Sequence, residues 1–449
     1  MRIEHLSLTN FRNYARLELD FPGHTILLQG DNAQGKTNLL EAIYYLATTR
    51  SPHAGAEHEL VNWLAENQDL PHARLVAQVW KGDSALRLEI TLVRPQPSRA
   101  DNLALSPETK GPALSRSPEP CPERERRSSE GAAKGPGYRK HIKVNGVNKR
   151  ALDLIGQVNV VLFLPEDIVL VAGSPSGRRR YLDATLCQID PHYCRTLQKY
   201  NRVLTQRNHL LRTLREREGD LDQLLFWDRS LVENGAYLVA RRREVIGELD
   251  RLAQAIHLEL TGQKERLRLR YEPSFDPSHP PPPDYQLPLE LDLPSEPGIH
   301  KWGTDLGQVA EAFRAQLRES RRREILQGMS LIGPHRDDLR FSVGGIDLTI
   351  YGSRGQQRTA ALALKLAEVK LIAQEVGEQP VLLLDDVMSE LDDARRGYLM
   401  RMIDGAQQAI LTTTDLKAYS TEFLAEATLL RVREGRIEVA NQRGSESAR

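Results

Sequence analysis

The eight residues Gly30-Asp31-Asn32-Ala33-Gln34-Gly35-Lys36-Thr37 constrain this chain more than any other stretch. They fit the pattern G-x-x-x-x-G-K-[ST], and the pattern has the context it needs. A short uninterrupted apolar run, residues 25–28, precedes it as a buried strand should. Leu39, Leu40, Ile43, Leu46 and Ala47 follow on one helical face. Glycines let the loop fold tightly enough for successive backbone N–H groups to converge on phosphate oxygens, and the helix start adds its positive end. Lys36 is expected to reach the β- and γ-phosphates, and the Thr37 hydroxyl to ligate Mg²⁺, with Asn38 continuing the phosphate-facing turn.

A phosphate cradle needs a metal-supporting carboxylate at the end of a neighbouring strand. Val381-Leu382-Leu383-Leu384-Asp385-Asp386 supplies it far along the chain. Asp385 is expected to hold Mg²⁺ directly or through water, and Asp386 to act as the base that polarises attacking water. Upstream of that strand lies Tyr351-Gly352-Ser353-Arg354-Gly355-Gln356-Gln357-Arg358, then a helical stripe of Leu362, Leu366, Val369 and Ala373. Small residues at a helix start admit close approach of an anion to backbone N–H groups. The segment resembles the signature motif of ABC-type ATPases, in which such a start meets the γ-phosphate held by a second subunit. The resemblance implies that role for Ser353, Arg354, Gly355, Gln356 and Gln357. Ser389-Glu390-Leu391-Asp392 resembles the D-loop of the same superfamily, placing Ser389 and Asp392 there. Thr412-Thr413-Thr414-Asp415 stands where many members carry a switch histidine, and its absence argues against fast hydrolysis.

Between these motifs the pattern changes twice. Alternation predicts strands over residues 3–8 and 17–21; strand character returns over 75–80, 86–93 and 141–144, with Asn145-Gly146 as a hairpin turn, and an apolar run predicts a strand over 158–164. From about 94 to 137 Pro, Ser, Glu, Arg and Gly dominate, which predicts a disordered insertion. Residues from about 190 to 262 read as long Leu-, Arg- and Glu-rich helices. A Pro-rich patch, 273–297, interrupts them, and a further helix is expected over 306–327. Strands return at 338–343 and, after Gly344-Gly345, at 346–350. The end then alternates: helix 357–375, strand 381–384, helix 393–403, strand 408–412. The predicted fold class is α/β, and the resemblance to ABC-type ATPases implies a P-loop ATPase head assembled from both chain ends with an inserted α-helical domain. The expected divisions are 1–190 for the first ATPase lobe, 191–330 for the helical domain and 331–449 for the second lobe.

Composition adds exclusions. An apolar content of 40% and a charged content of 27% describe a globular chain. No run approaches the roughly 18 apolar residues that span a bilayer, and the start lacks a signal-peptide core, so no membrane partner and a cytoplasmic location are expected. Cys121, Cys187 and Cys194 have no metal-ligand spacing and read as structural or incidental thiols of a reducing compartment. The formal net charge is zero, so any basic surface must be local.

Several stretches narrow the resemblance to the RecF family of DNA-repair ATPases. They are Leu6-Ser7-Leu8-Thr9-Asn10-Phe11-Arg12-Asn13-Tyr14, Leu164-Pro165-Glu166-Asp167, Gly173-Ser174-Pro175 with Arg178-Arg179-Arg180 and Leu182-Asp183, Gln206-Arg207-Asn208, and Gly333-Pro334-His335-Arg336-Asp337-Asp338. Together they span nearly the whole chain; the insertion and the Pro-rich patch depart from the pattern. The resemblance implies a clamp that forms an ATP-dependent homodimer, binds double-stranded or gapped DNA, and works with RecR and RecO to load RecA. It also implies a slow, DNA-stimulated ATPase needing ATP and Mg²⁺.

Some residues support two readings. Arg12 reaches the γ-phosphate in the family's manner or is a surface arginine at a strand end. The runs Arg178-Arg179-Arg180, Arg241-Arg242-Arg243 and Arg321-Arg322-Arg323 contact DNA phosphates or form solvated helix faces. His335 with Asp337 and Asp338 forms a metal site or a structural turn, the turn being favoured for want of further ligands. Gln188 or the 165–167 turn serves as the water-sensing Q-loop. A transporter-type ABC engine and a structural chromosome clamp are the rival classes. The helical insertion and the missing switch histidine oppose the first, and the lack of sustained heptads opposes the second.

Overall fold

The computed structural model describes residues 1–65, 71–94, 137–217, 219–276 and 305–439. Cys121, almost all of the 94–137 insertion and most of the Pro-rich patch lie outside these residues.

The core is a six-stranded sheet whose order cannot be guessed from local sequence. Strands β3 (Thr25–Gln29), β8 (Val160–Phe163), β12 (Val381–Asp385), β13 (Ala409–Thr413), β14 (Thr428–Arg433) and β15 (Arg436–Val439) lie in the order β15-β14-β3-β13-β12-β8. All are parallel except the edge strand β15. The N-terminal strand β3 is thus held between β13 and β14, both from the far end of the chain. Neither half has a complete sheet alone.

Alternation explains why both faces of this sheet are buried. Ile26, Leu28, Val160, Leu162, Leu383 and Ile410 face α1 (Lys36–Thr48) and a second, antiparallel sheet. That sheet runs β2-β1-β4-β5-β6-β7, built from β1 (Arg2–Phe11), β2 (Tyr14–Asp20), β4 (His72–Lys81), β5 (Ser84–Val93), β6 (Arg139–Val144) and β7 (Val147–Lys149). Leu27, Val161, Phe163, Leu382, Leu384 and Leu411 point the other way, into a helical layer.

That layer holds α3 (Ile168–Ala172), α4 (Pro175–Ile189), α5 (Pro191–Glu216), α6 (Gln223–Leu260), α7 (Leu306–Gln327) and α9 (Arg354–Val376). Short helices α2 (Ala151–Leu154) and α8 (Leu348–Tyr351) flank it, while α10 (Asp393–Asp404) and α11 (Thr421–Glu426) connect the last strands of the core. The fold is mixed α/β, a sheet core with a mainly helical insertion.

The structure departs from the sequence expectation in three places. The strand expected over 346–350 pairs only through β11 (Ile346–Asp347); Asp347 then accepts from the Thr349 amide and starts α8. β11, β10 (Asp338–Val343) and β9 (Leu267–Glu272) form a third small sheet against α6, so the inserted region is not purely helical. In two of the arginine runs the more buried members are committed to ion pairs rather than free for phosphate, while Arg180 and Arg243 stay exposed. Arg178 is 2% exposed and grips Asp338 through two nitrogens at 2.7 and 2.8 Å. Arg242 is buried against Asp183 and the Pro334 carbonyl, and Arg241 pairs with Asp190, Glu244 and Glu375. In the third run Arg321 pairs with Asp228, while Arg322 and Arg323 are exposed.

Candidate nucleotide site at the two chain ends

The cradle loop is braced from three sides before it meets any ligand. Asn13, in the β1–β2 turn, donates to the Gln34 carbonyl and accepts from Asn38. The Tyr14 hydroxyl donates to the Gly35 carbonyl at 2.9 Å. From the other end of the chain, the β14–β15 turn supplies the Glu434 and Gly435 amides to the Gln34 side chain and carbonyl. Gly35 sits at φ 114, and a Cβ there would collide with the Asn13 side chain. A Cβ on Gly30 would strike the Val432 carbonyl, so both glycines are required by close approach.

α1 begins at Gly35 with no side-chain cap and no acidic residue in its first turn. Its first N–H groups therefore face the cleft without a side-chain acceptor. The cleft encloses about 210 Å³ and is lined by Asn32, Ala33, Gly35, Lys36, Thr37, Asn38, Asp385 and Asp386. Lys36 is buried, and its Nζ donates to the Gly30 and Asp31 carbonyls at 2.6 and 2.8 Å. Burial lowers its pKa, opposed by the charges of Asp386, Asp385 and Asp31.

The acids come from the end of β12. Asp385 accepts from the Thr37 hydroxyl at 2.7 Å and from the Thr412 hydroxyl at 2.6 Å, so a loop residue and two strand ends meet at one carboxylate. This is the donor set expected of a Mg²⁺ site supported by a loop threonine. Asp386 follows in a left-handed conformation, φ 48, which turns its carboxylate toward the cleft instead of continuing the strand. Burial raises its pKa while Lys36 pulls it down. A carboxylate of raised basicity beside a lysine suits a base that handles water next to phosphate.

The remaining sequence candidates are not brought to this cleft. Arg12 is held by Glu41 through Nε and Nη2 at 2.7 and 2.8 Å and donates to the Glu59 carbonyl. Ser353 caps α9, accepting from the Gln356 amide at 3.2 Å, while the Gln356 side chain accepts from the Ser353 amide at 3.1 Å. Ser353, Arg354 and Gly355 are exposed, and Gln357 is buried on the Leu348 carbonyl. Ser389 donates to the Asp386 carbonyl, and Asp392 caps α10 by accepting from the Arg395 amide. Gln188 accepts from the Val160 amide at the sheet edge. The 165–167 turn instead follows β8, whose Phe163 pairs with Leu384 next to Asp385. His335 is sandwiched between the Tyr200 hydroxyl and the Ser330 carbonyl, and among the described residues no cluster of three His, Cys, Asp or Glu could hold a metal.

Two supporting groups escaped the sequence reading. The Glu434-Gly435 turn between short alternating strands was a legible hairpin signal, yet nothing local says that it buttresses a loop from the other chain end. Glu265 accepts from the Gln356 side chain at 3.0 Å, tying the start of α9 to the turn that ends α6. No motif marks it.

A glycine-rich loop opening a helix on a parallel sheet, with its acids on a strand two places away, defines a P-loop ATPase head. Residues 1–86 match the family model for an AAA ATPase domain. The chain is 41% identical over 444 residues to the DNA replication and repair protein RecF of Chloroflexus aggregans, covering 97% of this chain and 99% of the relative. The Bacillus subtilis RecF is 35% identical over 439 residues, covering 97% and 100%. A solved structure of the recombination mediator protein RecF with ATP, of the RecFOR pathway, superimposes with a TM-score of 0.75 at 28% identity over 98% of this chain and 97% of that one. The chain belongs to the RecF family of DNA replication and repair proteins.

Proposed function

We propose that the cleft binds ATP with Mg²⁺ and that two copies of the chain close around the nucleotide, each lending the start of α9 to its neighbour's triphosphate. The observation that carries the reading is the 2.7 Å contact between Thr37 and Asp385, which joins the two chain ends where a metal would sit. Residues 30–38 cradle the phosphates; Thr37 and Asp385 hold the ion; Asp386 activates water slowly. Ser353 with residues 354–357 completes the site from the partner copy, flanked by Ser389 and Asp392. Arg12 acts indirectly, by fixing the β1–β2 turn through Glu41. The exposure of Ser353, Arg354 and Gly355, none of which lines the cleft of its own chain, supports a role in trans.

The RecF kinship supports the rest. The closed dimer binds double-stranded or gapped DNA and acts in the cytoplasm with RecR and RecO in loading RecA, with 191–330 as the inserted domain between lobes 1–190 and 331–449. Among the described residues no helix is long and apolar enough to cross a membrane. Molar mass measured by light scattering, with and without ATP and gapped duplex DNA, tests the proposal. Doubling on ATP and retention of DNA by the doubled species are expected. DNA binding by an ATP-free monomer at equal affinity contradicts it.

A further inference from the structure

α4 and α5 meet at a single residue, Asp190, which ends the first helix and caps the second by accepting from the Tyr193 amide. The Tyr237 hydroxyl and Arg241 also donate to Asp190, so the elbow is fixed from α6. One consequence is that Cys187, near the end of α4, and Cys194, in the first turn of α5, line the same cavity and interact with each other. Both are free, and they are 7% and 5% exposed.

Buried thiols are ordinarily inert. These two differ because both line a cavity of about 380 Å³. Its walls include Thr48, Thr49 and Arg50 from the end of α1 and Arg150 beside α2. A small polar oxidant has room there, and a cation is in place. The Cys187 hydrogen bond lowers the Cys194 pKa most, burial opposes it, and Arg50 lowers it further, against Asp183 and Asp190. Cys187 is driven up, first by the same hydrogen bond and then by burial. Of the two sulfurs, Cys194 is the more readily deprotonated and so the better nucleophile.

We propose that Cys187 and Cys194 form a peroxide-reactive dithiol site, Cys194 attacking and Cys187 resolving, that closes reversibly into a disulfide across the α4–α5 elbow. In the first step the Cys194 thiolate attacks one peroxide oxygen, the O–O bond breaks, and the departing hydroxide takes a proton to leave as water. Cys194 is then a sulfenic acid. The Cys187 sulfur attacks the Cys194 sulfur, the S–O bond breaks, and the Cys187 proton leaves with the hydroxyl as a second water. Two electrons pass from the thiols to peroxide, and a small dithiol reductant reverses the change.

The test uses the full chain carrying Cys121→Ser, so that the pair is its complete thiol content. Hydrogen peroxide added to the folded protein should lower the intact mass by about 2 Da, reversed by dithiothreitol, with a peptide linking 187 to 194. Adding Cys187→Ser should leave Cys194 as a sulfenic acid that dimedone traps. Arg50→Gln should slow oxidation at neutral pH by roughly tenfold, the rate following the thiolate fraction. An unchanged mass in the folded protein, a link formed only in denaturant, or equal rates with and without Arg50 each overturn the proposal. Melting curves of the reduced variants separate a chemical effect from loss of fold.

Discussion

α1 and α9 both begin with a small residue and a phosphate-compatible turn, yet their starts are finished in opposite ways. Gly35 leaves the first N–H groups of α1 without a side-chain cap, and Lys36, Thr37 and two carboxylates are packed around the opening. Ser353 and Gln356 satisfy each other at the start of α9, on an exposed surface, with Glu265 steadying Gln356. An anion at α1 finds donors already oriented. An anion at α9 must compete with an existing capping bond, which is worth about 1 kcal/mol. Such a start has use only when something else brings the anion to it. The contrast is between a helix start left open for an anion and one already closed by its own capping box.

The sharpest way to break this contrast is at Lys36. Lys36→Ala removes the charge from the cleft and should weaken ATP binding by about 100-fold or more, read by calorimetry, since a charge-assisted contact is lost from a half-buried site. Unchanged affinity would deny the cleft its role. Next is Asp386→Asn, expected to slow turnover by about 100-fold while the ATP-bound dimer persists and outlives that of the parent. The parent's turnover should also depend on pH. As the proposed base Asp386 must act deprotonated, and burial raises its pKa, so activity should fall as acid is added, at a pH above that of an unburied aspartate. The Asp386→Asn residual rate should lack that limb.

Smaller effects sharpen the other side. Ser353→Ala should leave ATP affinity within about twofold but weaken ATP-dependent self-association by roughly tenfold, together with about 1 kcal/mol of stability from the lost cap. Sedimentation and denaturant titration separate the two. Smallest of all, Glu265→Gln should weaken self-association by about two- to threefold, because it replaces a charged acceptor at one remove from the anion. Equal losses from Glu265→Gln and Ser353→Ala would mean that the end of α6 contributes as much as the helix start itself.

Most of the cradle was legible because its requirements are local: a buried strand, two glycines, a lysine and a hydroxyl in fixed order. The acids were legible as an apolar run ending in Asp385-Asp386. Strand order was not, because nothing near residues 25–29 says that residues 409–413 and 428–433 flank them. The arginine runs misled for a physical reason. Arg178 and Arg242 lie in helices whose Arg-rich stretches read as polar, but the distant carboxylates Asp338 and Asp183 pair with them in buried surroundings. Partners more than a hundred residues away, as for Arg178 and Asp338, leave no local trace. The same limit applies to β9, a short strand whose pairing with β10 is invisible until the chain folds.

Mixing the two crippled chains puts the shared site to the most direct test. Lys36→Ala protein lacks a working cradle but keeps Ser353; Ser353→Ala protein keeps the cradle and lacks the serine. A mixed dimer holds one complete site. ATP turnover in the presence of DNA should be lost in each variant alone and return in the mixture. A mixture as inactive as its components, with both variants folded, would contradict the sharing of the site between two copies.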